Sequence, residues 1–214
     1  DLDVAAISAS NLESLILMSL DELILVKPPQ SHRGKGESAV FKGSGKLWGR
    51  NAETVYVKRQ RNYLRRAAWR LFLLTPLLRC EKRALVACKR LGISVPNIVS
   101  YKEEGNQIEL VLSEIKDALP LSVAIEKMGA QRKVLVQNVG RMFSQLHRGQ
   151  WVHGSLIDEH ILVRKSDLSV HLIDFEKATF GIVRKQRDLD RFFRQARYLS
   201  DVEKQILIDA YRAG

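Results

Sequence analysis

The stretch HGSLIDEHILV, residues 153–163, decides how this chain is read. Before it, VLVQNVGRMFSQLHRG carries apolar residues at helical spacing; after it, VHLIDFEKA is a short apolar run ending at Asp174. Helix, loop, strand, turn, strand and strand-end carboxylate is the order in which phosphoryl transfer needs its parts. That reaction asks for positioning and charge rather than covalent help: a metal-binding carboxylate, a second metal ligand and a group that orients the acceptor hydroxyl. Asp174 closes an apolar strand, where a carboxylate can reach Mg2+. His160 stands in the place of the second ligand. Each alone has a plainer account, Asp174 as the cap of a turn and His160 as a core histidine; together, in this order, they point to a kinase-like fold.

The loop also carries an anomaly. Two residues after His153, where such loops hold an aspartate, the chain has Ser155. A serine can hydrogen-bond but is no base at neutral pH, and general acid–base help is worth roughly 10²- to 10⁴-fold. Asp158 or Glu159 could substitute, although both lie further along the loop and read equally well as surface acids. The catalytic candidates are Ser155, Asp158 and Asp174, with Asp174 and His160 as metal ligands. The alternative is a domain that binds nucleotide without turning it over.

Upstream, the remaining parts of an ATP site occur in the expected order. RGKGES, residues 33–38, lies between candidate strands, where a phosphate loop belongs, although glycines there also suit an ordinary hairpin. VYVKRQ puts Lys58 on a strand, AVFKG is the strand before it, and Glu81 begins the next helix, CEKRALVACKRLG. Glu81 reads either as the partner of Lys58 or as an acid favoured by the helix N-terminus. Gly34, Gly36, Ser38, Lys58, Glu81 and Glu114 form the candidate nucleotide-holding set, Glu114 lying where the two halves of the chain meet. Asp188 and Asp190, in RDLDRF, are read as anchors of the catalytic loop or as helix N-terminal charge.

The remaining pattern predicts an α+β chain in two lobes. Residues 1–114 form a sheet-rich lobe with the glycine loop, the Lys58 strand and the Glu81 helix; residues 115–214 form a helical lobe with the catalytic loop and Asp174. A helix is expected over RNYLRRAAWRLFLL, and another from residue 15 leading into a strand. No apolar run reaches the roughly 18 residues that span a bilayer, and no basic-then-apolar leader opens the sequence. Cys80 and Cys88, eight residues apart on one helix, are too far apart for a disulfide, which fits a reducing cytoplasm.

The formal charge is +11, and eleven Lys or Arg face one acid, Glu81, between residues 58 and 90. Such a focused patch suggests a polyanionic partner: phosphate, nucleic acid or an anionic membrane. Nucleic acid is disfavoured, because aromatic side chains do not interleave with the cations as stacking platforms would.

The motifs VYVKRQ, EKRALVACKRLGISVPNIV, LHRGQWVHGSLIDEHILV, LIDFEKA and RDLDRF resemble the bacterial lipopolysaccharide kinases, the Kdo and heptose kinases and their InaA-like relatives. The resemblance runs from residue 33 to the C-terminus, and a basic insertion at 61–79 also fits that group. It implies an ATP- and Mg2+-dependent kinase of a lipopolysaccharide inner-core sugar, working at the cytoplasmic face of the inner membrane. On this reading the basic segment, with WRLFLLTPLL inside it, meets the anionic core and the membrane surface. Packing of Trp69, Leu71 and Phe72 within the fold is the other account. The alternative function is a kinase-fold pseudoenzyme that binds nucleotide or lipopolysaccharide in envelope stress or assembly.

Overall fold

The computed structural model describes residues 23–32, 35–50, 53–67, 73–181 and 185–214. Arg33 and Gly34 of the glycine loop, Trp69, Leu71 and Phe72 of the basic insertion, and most of the helix expected from residue 15 lie outside these. Contacts divide the chain into two units, one comprising residues 1–66, 73–78 and 97–114, the other 67–72, 79–96 and 115–214.

The first unit is built on a five-stranded antiparallel sheet of order β1-β2-β3-β7-β6. Its strands are β1 (Leu23–His32), β2 (Lys35–Ser44), β3 (Thr54–Arg61), β6 (Ile98–Glu104) and β7 (Gln107–Ser113). β3 is central, and its side chains alternate between the two faces. On one face Val55 and Val57 pack with Ala39, Phe41 and Val111 as a buried cluster. The same face continues into Arg59, opposite Glu109 across the β3–β7 ladder. Both are buried, 1% and 2% exposed, and paired at 2.9 Å. The Arg59 guanidinium also lies 5.6 Å from the Phe41 ring. Lys58 points to the opposite face, between Val40 of β2 and Leu110 of β7 in the register.

Two short strands, β4 (Leu64–Ala67) and β5 (Leu73–Pro76), make a two-stranded ribbon. Over the described residues, 61–67 and 73–74, this replaces the helix expected across residues 61–74; residues 68–72 of it lie outside the described residues. Leu74 is 60% exposed while Thr75 beside it is fully buried, an alternation of period two that suits a strand. Pro76 then blocks helix upstream of itself, so helix α1 (Leu77–Arg90) starts directly after it. Gln60 ties this start to the sheet, its Oε1 accepting from Leu78 N while its Nε2 donates to Ser38 Oγ, both at 3.2 Å.

From Arg79 onward α1 groups with the second unit, whereas the sequence division at 114 keeps it in the first lobe. The reason lies just beyond its C-terminus. Gln145 Nε2 donates to the carbonyl of Leu91, and Ser94 O accepts from Leu172 N at 3.0 Å. Along α1 both Cys80 and Cys88 are buried; burial pushes the Cys88 thiol up to about 12, so it stays protonated.

The second unit adds helices α2 (Leu121–Lys127), α3 (Arg132–Arg148), α4 (Lys185–Gln195) and α5 (Asp201–Ala213). A small sheet of order β11-β10-β8 comprises β8 (Ala118–Pro120), β10 (Ile161–Arg164) and β11 (Val170–Leu172). β9 (Trp151–Val152) pairs with β12 (Thr179–Phe180). α3 is the central helix of this unit. Its Phe143 meets Phe192 of α4 edge-on, centroids 5.0 Å apart. Its Arg132 grips Glu203 of α5 with two nitrogens, at 2.7 and 3.1 Å. Glu203 also completes a capping box with Ser200; chiefly the Arg132 hydrogen bond holds its carboxyl near 2. Among the described residues no helix is long and apolar enough to cross a membrane.

Candidate active site

The loop after β9 is held by a buried carboxylate. Asp188, in the first turn of α4, accepts the backbone N–H of His153 at 2.6 Å and of Gly154 at 2.9 Å. His147 of α3 lies 3.4 Å from the same carboxylate and 2.9 Å from the Tyr211 hydroxyl. Of the two acids flagged as loop anchors, Asp188 does the anchoring, while Asp190 accepts from Gln186 on its own helix. His153 is itself fully buried, and its Nε2 faces the Ile173 carbonyl at 2.9 Å. Burial brings its pKa down to about 4 against the opposing pull of Asp188, so the ring is neutral at pH 7. Gly154 has φ +76°, and a Cβ there would run into the backbone of Lys177. Glycine is required at this corner for conformation and for space.

Ser155, His160 and Asp174 come together. His160 Nδ1 lies 2.8 Å from the backbone carbonyl of Ser155, a contact that puts the proton on Nδ1. Its other nitrogen, Nε2, is 3.2 Å from Asp174 Oδ2. The His160 ring stacks on His153 at 5.7 Å, and the His153 ring touches Phe175 at 4.6 Å. Asp174 adopts φ +63°, a left-handed conformation unusual outside glycine and often found where function over-determines the backbone.

Two more carboxylates join it. One oxygen each of Glu81, Asp174 and Glu176 lies within 4.8 Å of the other two. Glu81 is fully buried. Glu176 was missed in the sequence; its signal was its place two residues after Asp174, on a 3-10 turn (Phe175–Lys177) that brings it back to the same side.

The other predicted residues are placed as follows. Asp158 accepts from the backbone N and the hydroxyl of Ser122, at 2.7 and 2.6 Å. Both of its oxygens therefore accept from the first turn of α2. Glu159 is exposed. In the first unit, Gly36 has φ +79° and a Cβ there would collide with the backbone of Asn62, which gives this glycine a packing role of its own. Ser38 accepts from Gln60, as above. Glu114 pairs with Lys42 at 2.9 Å.

The Mg2+ that phosphoryl transfer calls for fits the second unit's donors. Ligands at right angles on an octahedral ion, with bonds of ~2.1 Å, stand ~3 Å apart. The Asp174–His160 separation of 3.2 Å is of that size. Glu81 and Glu176 bring two further carboxylates beside it, oxygen donors of the kind Mg2+ takes.

A loop pinned from beneath by a buried aspartate, next to a strand-end aspartate with a second donor at its side, is the arrangement of protein-kinase-like phosphotransferases. The chain belongs to the Lipopolysaccharide kinase (Kdo/WaaP) family, which residues 29–211 match. Its fold is shared with an aminoglycoside-3'-phosphotransferase of type VIII, at TM-score 0.63 and 14% identity, over 98% of this chain and 92% of that one. It is also shared with the aminoglycoside phosphotransferase APH(3'')-Id from Streptomyces rimosus, at TM-score 0.56 and 15% identity, over 87% and 84% of the two chains. Among curated proteins, the mouse EKC/KEOPS complex subunit Tp53rkb is 25% identical over 128 residues, 56% of this chain and 52% of its own length. A probable bifunctional tRNA threonylcarbamoyladenosine biosynthesis protein of Methanosphaera stadtmanae is 29% identical over 110 residues, 51% of this chain and 20% of its own length. The chain thus spans about half or less of these relatives. The α+β, protein-kinase-like fold and the lipopolysaccharide kinase family expected from the motifs both hold.

Proposed function

We propose that this kinase transfers the γ-phosphoryl group of ATP, with Mg2+, to a hydroxyl of a lipopolysaccharide inner-core sugar, Kdo or heptose, at the cytoplasmic face of the inner membrane. The observation that carries the reading is the family match together with the Asp174–His160 pair beside Glu81 and Glu176. The metal would neutralise charge on the transferring phosphoryl group. Asp174 and His160 are the residues to hold it; Asp188, through His153 and Gly154, keeps the loop backbone in register with them. Lys58 is assigned to the phosphates by its strand position. Ser155 is assigned to orient the acceptor hydroxyl by hydrogen bonding, with Asp158, which also accepts from Ser122, as the other candidate. A loose transition state tolerates that arrangement at reduced rate, because positioning and electrostatics supply most of the acceleration.

The acceptor and the location draw support from charge. Arg79, Lys82, Arg83 and Arg90 of α1 line a cleft of about 580 Å³ together with Trp151 and Phe180. Arg83 lies over the Trp151 ring at 5.7 Å, and Phe180 is exposed. A cationic cleft with an apolar floor suits a phosphorylated, lipid-anchored substrate better than a neutral sugar. The test is transfer of labelled phosphate from ATP to purified core lipopolysaccharide. Asp174→Ala should abolish transfer. Binding of ATP without transfer to any core sugar would leave a nucleotide-binding scaffold, the pseudoenzyme reading.

A further inference from the structure

We infer that His147 and Tyr211 are positioning residues for the catalytic loop: they hold the Asp188 carboxylate, and through it the loop backbone, at the contact of α3 with α5. The kinetic consequence rests on the phosphotransfer reading above and deepens it; the loop geometry stands apart from it. Asp188 meets three N–H groups. Its Oδ1 accepts from Gly154 N at 2.9 Å and its Oδ2 from His153 N at 2.6 Å. Those two belong to the loop that Asp188 holds. His147 supplies a donor from outside it, with Nε2 standing 3.4 Å from Oδ2. A carboxylate facing a ring nitrogen asks that nitrogen to donate, which puts the imidazole proton on Nε2 and leaves Nδ1 to accept. The Tyr211 hydroxyl meets Nδ1 at 2.9 Å. The bonds therefore run in one direction, from the Tyr211 O–H through the ring to Asp188.

Packing fixes this chain. His147 and Asp188 are each 2% exposed, so water is a poor substitute for either partner. The rings of His147 and Tyr211 meet edge-on, centroids 5.6 Å apart. Gly140 of α3 lets α5 come close, since a Cβ there would run into the Leu207 carbonyl oxygen and stand 2.9 Å from Ala210 Cβ. His147 lies two turns along α3 from Gly140, and Tyr211 one turn along α5 from Leu207. The close approach of the two helices thus sets the bond between their side chains. A network of this kind acts as a unit, and a double-mutant cycle apportions it.

The experiment measures amide hydrogen exchange at His153 and Gly154 in the full chain by ¹⁵N NMR. The amide of Leu172, bonded to Ser94 O in the same unit, is the reference for overall stability. Tyr211→Phe removes one hydroxyl and keeps the ring. His147→Leu removes both nitrogens, and His147→Gln restores an N–H of similar reach toward Asp188. Tyr211→Phe and His147→Leu should each speed exchange at His153 and Gly154, relative to Leu172, by about threefold to tenfold. In phosphate transfer to core lipopolysaccharide, kcat should fall by a similar factor with KM for ATP unchanged. His147→Gln should recover most of the His147→Leu loss, and Tyr211→Phe should add nothing in the His147→Leu background. An unchanged exchange ratio in Tyr211→Phe, no recovery in His147→Gln, additive losses in the double variant, or faster exchange with unchanged kcat would each overturn the inference. Should His147→Leu misfold, Tyr211→Phe in the native and His147→Gln chains decides it. A native chain that transfers no phosphate sinks the proposed function alone, because the exchange ratios need neither nucleotide nor acceptor.

Discussion

Asp188 accepts the backbone N–H of His153 at 2.6 Å, joining the first turn of α4 to a loop 35 residues earlier in the chain. The same carboxylate takes the N–H of Gly154, so one buried side chain fixes two successive peptide groups of the catalytic loop. Asp188→Asn keeps the shape but turns one acceptor into a donor facing an N–H. A loss of about 2–3 kcal/mol in stability is expected, read from urea unfolding, with phosphate transfer falling further than the unfolded fraction explains.

Gly154 should tolerate no side chain. Its φ of +76° and the Lys177 backbone in the path of a Cβ act together. Gly154→Ala is expected to cost roughly 1–3 kcal/mol and to lower kcat by displacing Ser155. Thermal unfolding and steady-state kinetics on the same preparation report both effects.

His153 gives the fold an acid-side weakness. Its folded pKa of about 4 lies below the ordinary histidine value of 6.5, chiefly through burial. The unfolded chain therefore binds the extra proton more readily, and stability falls as pH drops from about 6.5 toward 4. The loss approaches roughly 3 kcal/mol at the acid end. Denaturation midpoints at pH 7, 6, 5 and 4 should show it, and His153→Gln should flatten that part of the curve.

In the first unit, Glu109→Ala would strand the Arg59 guanidinium inside the sheet, since Arg59 is 1% exposed and Glu109 is its partner at 2.9 Å. Breaking such a pair from one side typically costs about 3–5 kcal/mol. Replacing both residues together, Arg59→Met with Glu109→Leu, should recover most of that, and chemical denaturation of the single and double variants compares them.

Ser155 is the residue whose replacement should help. It is 8% exposed, and its backbone carbonyl orients His160. Ser155→Asp restores a carboxylate at the loop position that lacks one. The expected gain in kcat is on the order of 10²-fold, with little change in ATP affinity; no gain would mean the acceptor is activated from elsewhere.

The sequence by itself determined most of the elements and their order. Spacing alone placed β2, β3, β6, β7, α3 and the strands flanking the catalytic loop. It also marked Asp174, His160 and Glu81, because alternation, helical period and turn residues are local properties written in neighbouring positions. Where two local patterns competed it misled, as at residues 61–74, whose apolar residues fit a helical stripe while Leu64–Ala67 and Leu73–Pro76 form the strands β4 and β5. Tertiary structure alone decided which acids do what. Asp158 went to Ser122, Asp188 to the loop backbone and Glu176 to the company of Glu81 and Asp174, partners 36, 35 and 95 positions away. A carboxylate carries the same charge wherever it stands; its role is set by which donors the fold brings within hydrogen-bond distance, and that is a property of packing between distant segments rather than of the residues beside it.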